Sequence, residues 1–206
     1  MSVVGIKLNG VGYNKYMSYQ MQVIKDNPIS FWPLDEISGT TAIDVSGSGN
    51  NGTYSGSLTT NILPLVSGGV SGSLINTLNY VSLPIAYDYN GDAAFGGLAT
   101  KYFSDNDFTL ECWIYSKIIS SSITPIFADD ASKVGIYYED GNLVFRVEDK
   151  RLDFRLPSVD QALHICATYT PTSMSLFVNG ERAGSIFYEK YRFASSAFSP
   201  KIGPTV

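Results

Sequence analysis

Charge, histidine and cysteine are all scarce in this chain: 16% of its 206 residues are charged, with a single histidine and two cysteines. So little charge beside 44% hydrophobic residues excludes a disordered chain and is ample for one well-filled core. Lys and Arg number 14 against 19 Asp and Glu, a net charge of −5 at pH 7. No basic cluster is present to neutralise phosphates, so a nucleic-acid partner is not expected. The longest apolar runs fall far short of the ~18 residues of a spanning helix, so membrane insertion is not expected either. The opening MSVVGIKLNGVGYNKYM lacks the basic start and apolar core of a Sec signal peptide, and the expectation is that none is used.

Cys112 and Cys166 lie inside strand-like segments and not at metal-ligand spacing, which argues against zinc. They read as free thiols behaving as small hydrophobes, with a disulfide open to them if their strands are neighbours. His164 is the one base available to Ser/His/Asp or Cys/His catalysis, and it reads as a hydrogen-bonded strand residue.

Aromatics and glycine are plentiful: 14 Tyr, 11 Phe and 19 Gly favour strands joined by tight turns. Beyond residue 75 the apolar period is two, in NYVSLP (79–84), FTLECWIY (108–115), KVGIYYE (133–139), LVFRVE (143–148), RLDFRL (151–156), HICATY (164–169) and MSLFVN (174–179). In RLDFRL the alternation is complete, as in a sheet with one wet face. Glu139-Asp140-Gly141-Asn142 and Asn179-Gly180 supply hairpin turns. The expected fold class is all-β, an antiparallel two-sheet sandwich or jelly roll.

One helix is expected, over about residues 12–26, because Tyr13, Tyr16, Met17, Met21 and Ile24 recur at helical spacing before Asp26-Asn27-Pro28 stops the pattern. Gln20 interrupts the stripe, while Tyr19 and Val23 widen it. That face either packs on the domain's own sheet or docks on a partner, and Tyr13, Tyr16, Met17 and Tyr19 are the docking candidates. The organisation read from the chain is an arm with an amphipathic helix at 1–27 and a single domain at 28–206.

Gly47 to Gly52, GSGNNG, has the G-x-G-x-x-G spacing of a dinucleotide loop. The fingerprint requires a helix to follow, and Thr53-Tyr54-Ser55-Gly56-Ser57 cannot begin one. The glycines read as a loop between strands.

These blocks carry a family pattern. Pro28, Phe31-Trp32, Leu34-Asp35-Glu36, Gly39 and Asp44 through Tyr54, followed by YVSLP, FTLECWIY and HICATYTPTSMSLFVNGERAGS, resemble the successive blocks of concanavalin A-like, laminin-G-type jelly-roll domains over about residues 20–203. Members of that family end with a strand similar to Gly-x-Ile-Asp-Glu-Val-x-Ile-Tyr, and here SPKIGPTV stands where it would start. The resemblance therefore implies that residues beyond 206, the segment SVVGIKL or a neighbouring subunit closes one sheet.

The resemblance also frames the chemistry. Laminarinase-like hydrolases of this fold carry E-x-D-x-E on one strand, which this chain lacks; the acidic pairs Asp35-Glu36, Glu139-Asp140 and Glu148-Asp149 are sequence neighbours, and Glu111 is alone in its strand. No catalytic activity is expected. Relatives hold glycans on a sheet face or rim loops, and Tyr137, Tyr115, Trp113 and Asn142 are the ligand candidates, with Tyr138 in the core and Tyr137 exposed by strand parity. No cofactor is required. Calcium, known in such jelly rolls, has two places to bind: Asp88-Tyr89-Asn90-Gly91-Asp92, which lacks the remaining EF-hand positions, and Asp44 with Gly47 to Asn51. Two functions follow. One is a carbohydrate-binding adhesion module, and the other is a structural module docked through its N-terminal segment. The setting expected for both is a bacteriophage tail or virion surface, with other virion proteins or subunits and host surface glycans as partners.

Overall fold

The computed structural model describes residues 5–7, 16–36, 38–56, 59–62, 72–74, 80–82, 107–116, 123–129, 134–156, 161–190 and 200–203. The elements in chain order are β1 (Gly5–Lys7), β2 (Tyr16–Ser18), α1 (Tyr19–Lys25), β3 (Thr41–Ala42), β4 (Gly52–Ser55), β5 (Thr59–Ile62), β6 (Gly72–Leu74), β7 (Tyr80–Ser82) and β8 (Phe108–Ser116). They continue with β9 (Thr124–Asp129), β10 (Val134–Glu139), β11 (Asn142–Val147), β12 (Lys150–Arg155), β13 (Gln161–Thr170), β14 (Ser173–Val178), β15 (Glu181–Phe187) and β16 (Pro200–Ile202).

Two antiparallel sheets form the body, one in the order β12-β11-β10-β9-β16-β7-β4-β3 and one in the order β15-β14-β13-β8. Their inner faces are the apolar halves of the period-two segments. Ile136, Tyr138, Leu143, Phe145 and Leu152 of the larger sheet meet Phe108, Cys112, Ile165, Tyr169, Met174 and Leu176 of the smaller one in a single buried cluster. Phe108 joins the layers, stacked on Tyr169 at 4.9 Å within its own sheet and edge-on to Phe145 at 6.4 Å across the core. This is the expected two-sheet, mostly antiparallel sandwich.

The turns behave as their residues require. Asp140 and Gly141 have φ of 49° and 78°, and Asn179 and Gly180 have 52° and 81°, the paired positive angles of tight hairpins. Gly135 has a different reason to be glycine. A Cβ there would collide with the Phe127 carbonyl oxygen and lie 2.7 Å from Ala128 Cβ, because β9 and β10 approach closely beside the register shift at Ile136/Tyr137.

The N-terminal expectation needs correction. Residues 16–18 are a strand paired with β1 through Gly5↔Ser18, Ile6↔Met17 and Lys7↔Tyr16, and the helix is the seven-residue α1. Pairing with a distant segment overrides a helical stripe in a stretch whose Tyr and Met suit either state. The helix ends as expected, with Asp26 and Asn27 N–H groups turning back to Val23 and Ile24 carbonyls and Asn27 at φ 51° before Pro28. Residues 12–15 lie outside the described ones. Within SVVGIKL, Gly5–Lys7 form β1, which pairs with β2 in a two-stranded sheet. The SPKIG segment supplies β16, held between β9 and β7 inside the larger sheet. Among the described residues β8 ends the smaller sheet, and no helix is long and apolar enough to cross a membrane.

Candidate functional site

The loop that begins at Asp44 is built around one carboxylate. Asp44 is only 6% exposed; its Oδ1 accepts the Phe31 N–H at 2.9 Å and the Ser46 N–H at 3.0 Å, and its Oδ2 accepts the Asn50 N–H at 2.9 Å. Asn51 Oδ1 accepts the Asp44 N–H at 2.9 Å, and Trp32 Nε1 donates to the Asn50 carbonyl at 2.8 Å. Burial pushes the Asp44 carboxyl up, but the N–H groups of Phe31, Ser46 and Asn50 together with the Ser46 side chain outweigh it, and the group titrates below the ordinary carboxylate range. GSGNNG is thus the turn that Asp44 staples between β3 and β4, with Gly47 and Gly49 at positive φ. An acid whose oxygens are already surrounded by N–H donors is poorly prepared for a cation. Among the described residues no three His, Cys, Asp or Glu side chains converge as a metal site. Asp88 through Asp92 lies outside them.

The ligand candidates do not form one site. Tyr137 and Asn142 belong to the outer face of the larger sheet. There Tyr137 is 2% exposed, packed with Ala128 and Val144 in a second buried cluster, and the Arg146 guanidinium stands 5.9 Å from its ring centroid. The expectation of an exposed Tyr137 is therefore wrong, while Tyr138 is in the main core as expected. Strand parity separates the two tyrosines correctly, but it assumes one wet face, and this sheet is buried on both sides at that point. Asn142 turns its amide back toward the Asp140 carbonyl at 3.4 Å. Nearby, Arg151 is held between Glu139 at 2.7 Å and Asp153 at 2.6 Å, a self-paired charge set.

Trp113 lies on the opposite side of the molecule. It is half-buried and outside the core cluster, because β8 directs Phe108, Leu110, Cys112 and Ile114 inward and so turns Glu111 and Trp113 outward. The register His164↔Trp113 and Cys166↔Glu111 brings three groups together. His164 Nε2 is 2.8 Å from Glu111 Oε1, and the imidazole and indole centroids are 5.0 Å apart at 49°. Asn179 fixes the backbone behind the imidazole, its Oδ1 accepting the His164 N–H at 2.9 Å and its own N–H donating to the His164 carbonyl at 2.8 Å. His164 is hydrogen-bonded, as its place in a strand suggests; Glu111, alone in its strand, finds its partner on the next one. Tyr115 lies farther along β8, opposite Ala162.

Cys112 and Cys166 are both free, and their strands are neighbours. Cys112 pairs with Ile165 and faces the core, where burial and then the Glu111 charge push its thiol up to about 12. Cys166 is on the outer face, its thiol also raised by burial and Glu111.

Of the docking candidates, Tyr13 lies outside the described residues, Tyr16 and Met17 are on β2, and Tyr19 opens α1. Met21 and Ile24 of that helix are 56% and 41% exposed.

The residues missed in the sequence share the Trp113 face. One cross-strand row runs Glu111, Cys166, Phe177, Arg182, and the next but one ends in Ser173 and Phe187. Arg182 and Phe187 differ in parity along β15 and reach the same face because the pairing with β14 shifts register at Leu176/Phe177, and neither that shift nor the offset between strands is written in any one segment.

A family model described as "Concanavalin A-like lectin/glucanases superfamily" matches residues 79–203. No curated protein matches the sequence. Similar solved structures include a chain of botulinum neurotoxin type C, whose uptake into cells depends on interaction with two ganglioside molecules (TM-score 0.60, 15% identity, covering 89% of this chain and 44% of that one). Domain 4 of an extracellular GH43 arabinanase from Geobacillus stearothermophilus, in complex with arabinotriose, has a TM-score of 0.52 at 15% identity, with 77% and 76% of the two chains covered. Trypanosoma rangeli sialidase in complex with sialic acid gives 0.55 at 14% identity, with 82% and 26% covered. At these identities the likeness is one of fold, and the chain spans less than half the length of the neurotoxin chain.

Proposed function

We propose that this chain, which belongs to the concanavalin A-like lectin/glucanases superfamily, is a non-catalytic glycan-binding module that uses the outer face of its four-stranded sheet. The observation that carries the proposal is the outward Trp113, set against His164, whose ring is in turn held by Glu111. An indole offers a flat apolar surface to the C–H face of a sugar, and the adjoining imidazole and carboxylate supply hydrogen-bonding groups for its hydroxyls. Solved neighbours of this fold bind arabinotriose, sialic acid and gangliosides, which supports a sugar as the ligand class. Hydrolysis would need a second carboxylate within ~5 to 9.5 Å. Asp107, the nearest outward acid along β8, is four residues from Glu111, about 13 Å away in an extended strand.

A glycan array followed by calorimetric titration tests this reading. Trp113→Ala is expected to weaken binding about tenfold or more, and because the indole is half-buried with its Nε1 enclosed, Trp113→Phe, expected to weaken binding less, keeps the test valid should the alanine variant lose stability. Unchanged affinity would overturn the assignment. A phage particle surface is the proposed setting, which makes host envelope glycans the partners; mass spectrometry of purified particles checks it separately.

A second reading, assembly through the N-terminal segment, is favoured by Met21 and Ile24, large apolar side chains left exposed on α1. A pull-down comparing the full chain with one lacking residues 1–27 tests it.

A further inference from the structure

Phe187 is 79% exposed, the most exposed of the large hydrophobic side chains among the described residues, and isolated burial arguments do not account for it. Its position in the sheet does. The register places Trp113 beside His164, Phe177 between Cys166 and Arg182, and Phe187 opposite Ser173, all facing outward. Trp113 and Phe177 are two strands and one same-face step apart, about 12 Å at the Cα level; Phe177 and Phe187 are one strand and two steps apart, about 14 Å. The three rings thus lie along a diagonal of the face, from β8 to the end of β15.

His164 and Cys166 lie between Trp113 and Phe177, and the ground between Phe177 and Phe187 carries hydroxyls. Thr168, Ser175 and Ser185 form the intervening row through Thr168↔Ser175 and Ser175↔Ser185. Thr170 Oγ1 and Ser173 Oγ, 2.9 Å apart, border Phe187. Charge is confined to the two edge strands, with Asp107 and the His164-bonded Glu111 on the β8 side and Arg182 on the β15 side. Separated rings with hydroxyls between them and opposite charges only at the margins suit a neutral ligand that is long, hydroxyl-rich and has repeated apolar faces. A protein partner would be expected to seek one contiguous apolar centre instead.

We infer that this face takes an extended, neutral glycan chain, bound along the diagonal from Trp113 past Phe177 to Phe187, and not a single terminal sugar. The inference rests on the glycan-binding reading above and names its ligand class. Each added ring contact on an already tethered chain strengthens binding without a second association step.

The test is a titration with neutral oligosaccharides of one linkage and increasing length, taken from the polymer that scores best on an array, against wild type, Trp113→Ala, Phe177→Ala and Phe187→Ala. Wild-type affinity is expected to rise with length until the chain covers the diagonal and then to level off. Phe187→Ala should lower affinity for the longest chains by roughly three- to tenfold and leave the shortest unaffected, at unchanged melting temperature. Because Phe177 is partly buried, Phe177→Leu keeps the test valid should the alanine variant unfold. Trp113-dependent binding that does not grow with length would overturn the extended chain while leaving glycan binding intact. Absence of glycan binding at any length would overturn both. Self-association of the wild type that Phe187→Ala abolishes would assign the face to a second copy of the chain and likewise overturn the inference.

Discussion

Cys112 and Cys166 stand on adjacent strands, one residue out of register, with their side chains on opposite faces of the sheet. A disulfide needs Cβ atoms ~3.8 Å apart and aimed at one another, which the backbone between them forbids. Oxidising conditions are therefore expected to leave no intrachain bond. Under native conditions alkylation followed by peptide mass spectrometry should label Cys166 slowly and spare Cys112, whose buried thiol is held far from the thiolate. Both should react in denaturant; equal native labelling would contradict the placement.

Asp44→Asn should destabilise the domain by about 1.5–3 kcal/mol at pH 7, because an amide cannot accept from the N–H groups on both sides of the carboxylate. The carboxyl titrates lower in the folded state than in the unfolded one, where it is near 3.9, so its contribution is present above that pH and is lost as pH falls through the folded value. Denaturant melts at pH 7 and at pH 3 should show the gap between wild type and variant closing in acid. A gap that stays constant would mean that the staple is not electrostatic.

Tyr138 is in the core, and its Oη has no hydrogen-bond partner among the described residues. Tyr138→Phe is expected to be neutral or slightly stabilising, whereas Tyr138→Ala should cost ~3–5 kcal/mol as a large core truncation. Chemical denaturation of the two variants separates the ring's contribution from the hydroxyl's.

Gly135→Ala puts a methyl group against the backbone of β9, which cannot move aside as a side chain could. A loss of ~1–3 kcal/mol is expected, although alanine normally favours a strand over glycine. Thermal melts check this, and an unaffected melting temperature would show that β9 and β10 have room to separate.

Much of the domain is legible in its sequence because the relevant physics is local. Period-two alternation assigns core faces in β8 and β12 through β14, Asp-Gly and Asn-Gly turns close the hairpins, and Asp44 with its glycines makes a loop that no nucleotide motif could share. The helical stripe overstates the helix because pairing with β1, a contact with residues some ten positions away, is what separates β2 from α1. Alternation misplaces Tyr137 because it says which side a residue faces but not whether that side is covered. The candidate site depends on register alone. The alignment of β8 with β13 carries Glu111 to His164 and His164 to Trp113, and the further pairings of β14 and β15 add Phe177 and Phe187. A regular strand fixes the outward parity of its own residues; only the packed sheet, choosing among offsets that would bury the same apolar side chains and placing the register shift that turns both Arg182 and Phe187 outward on β15, decides which of them become neighbours.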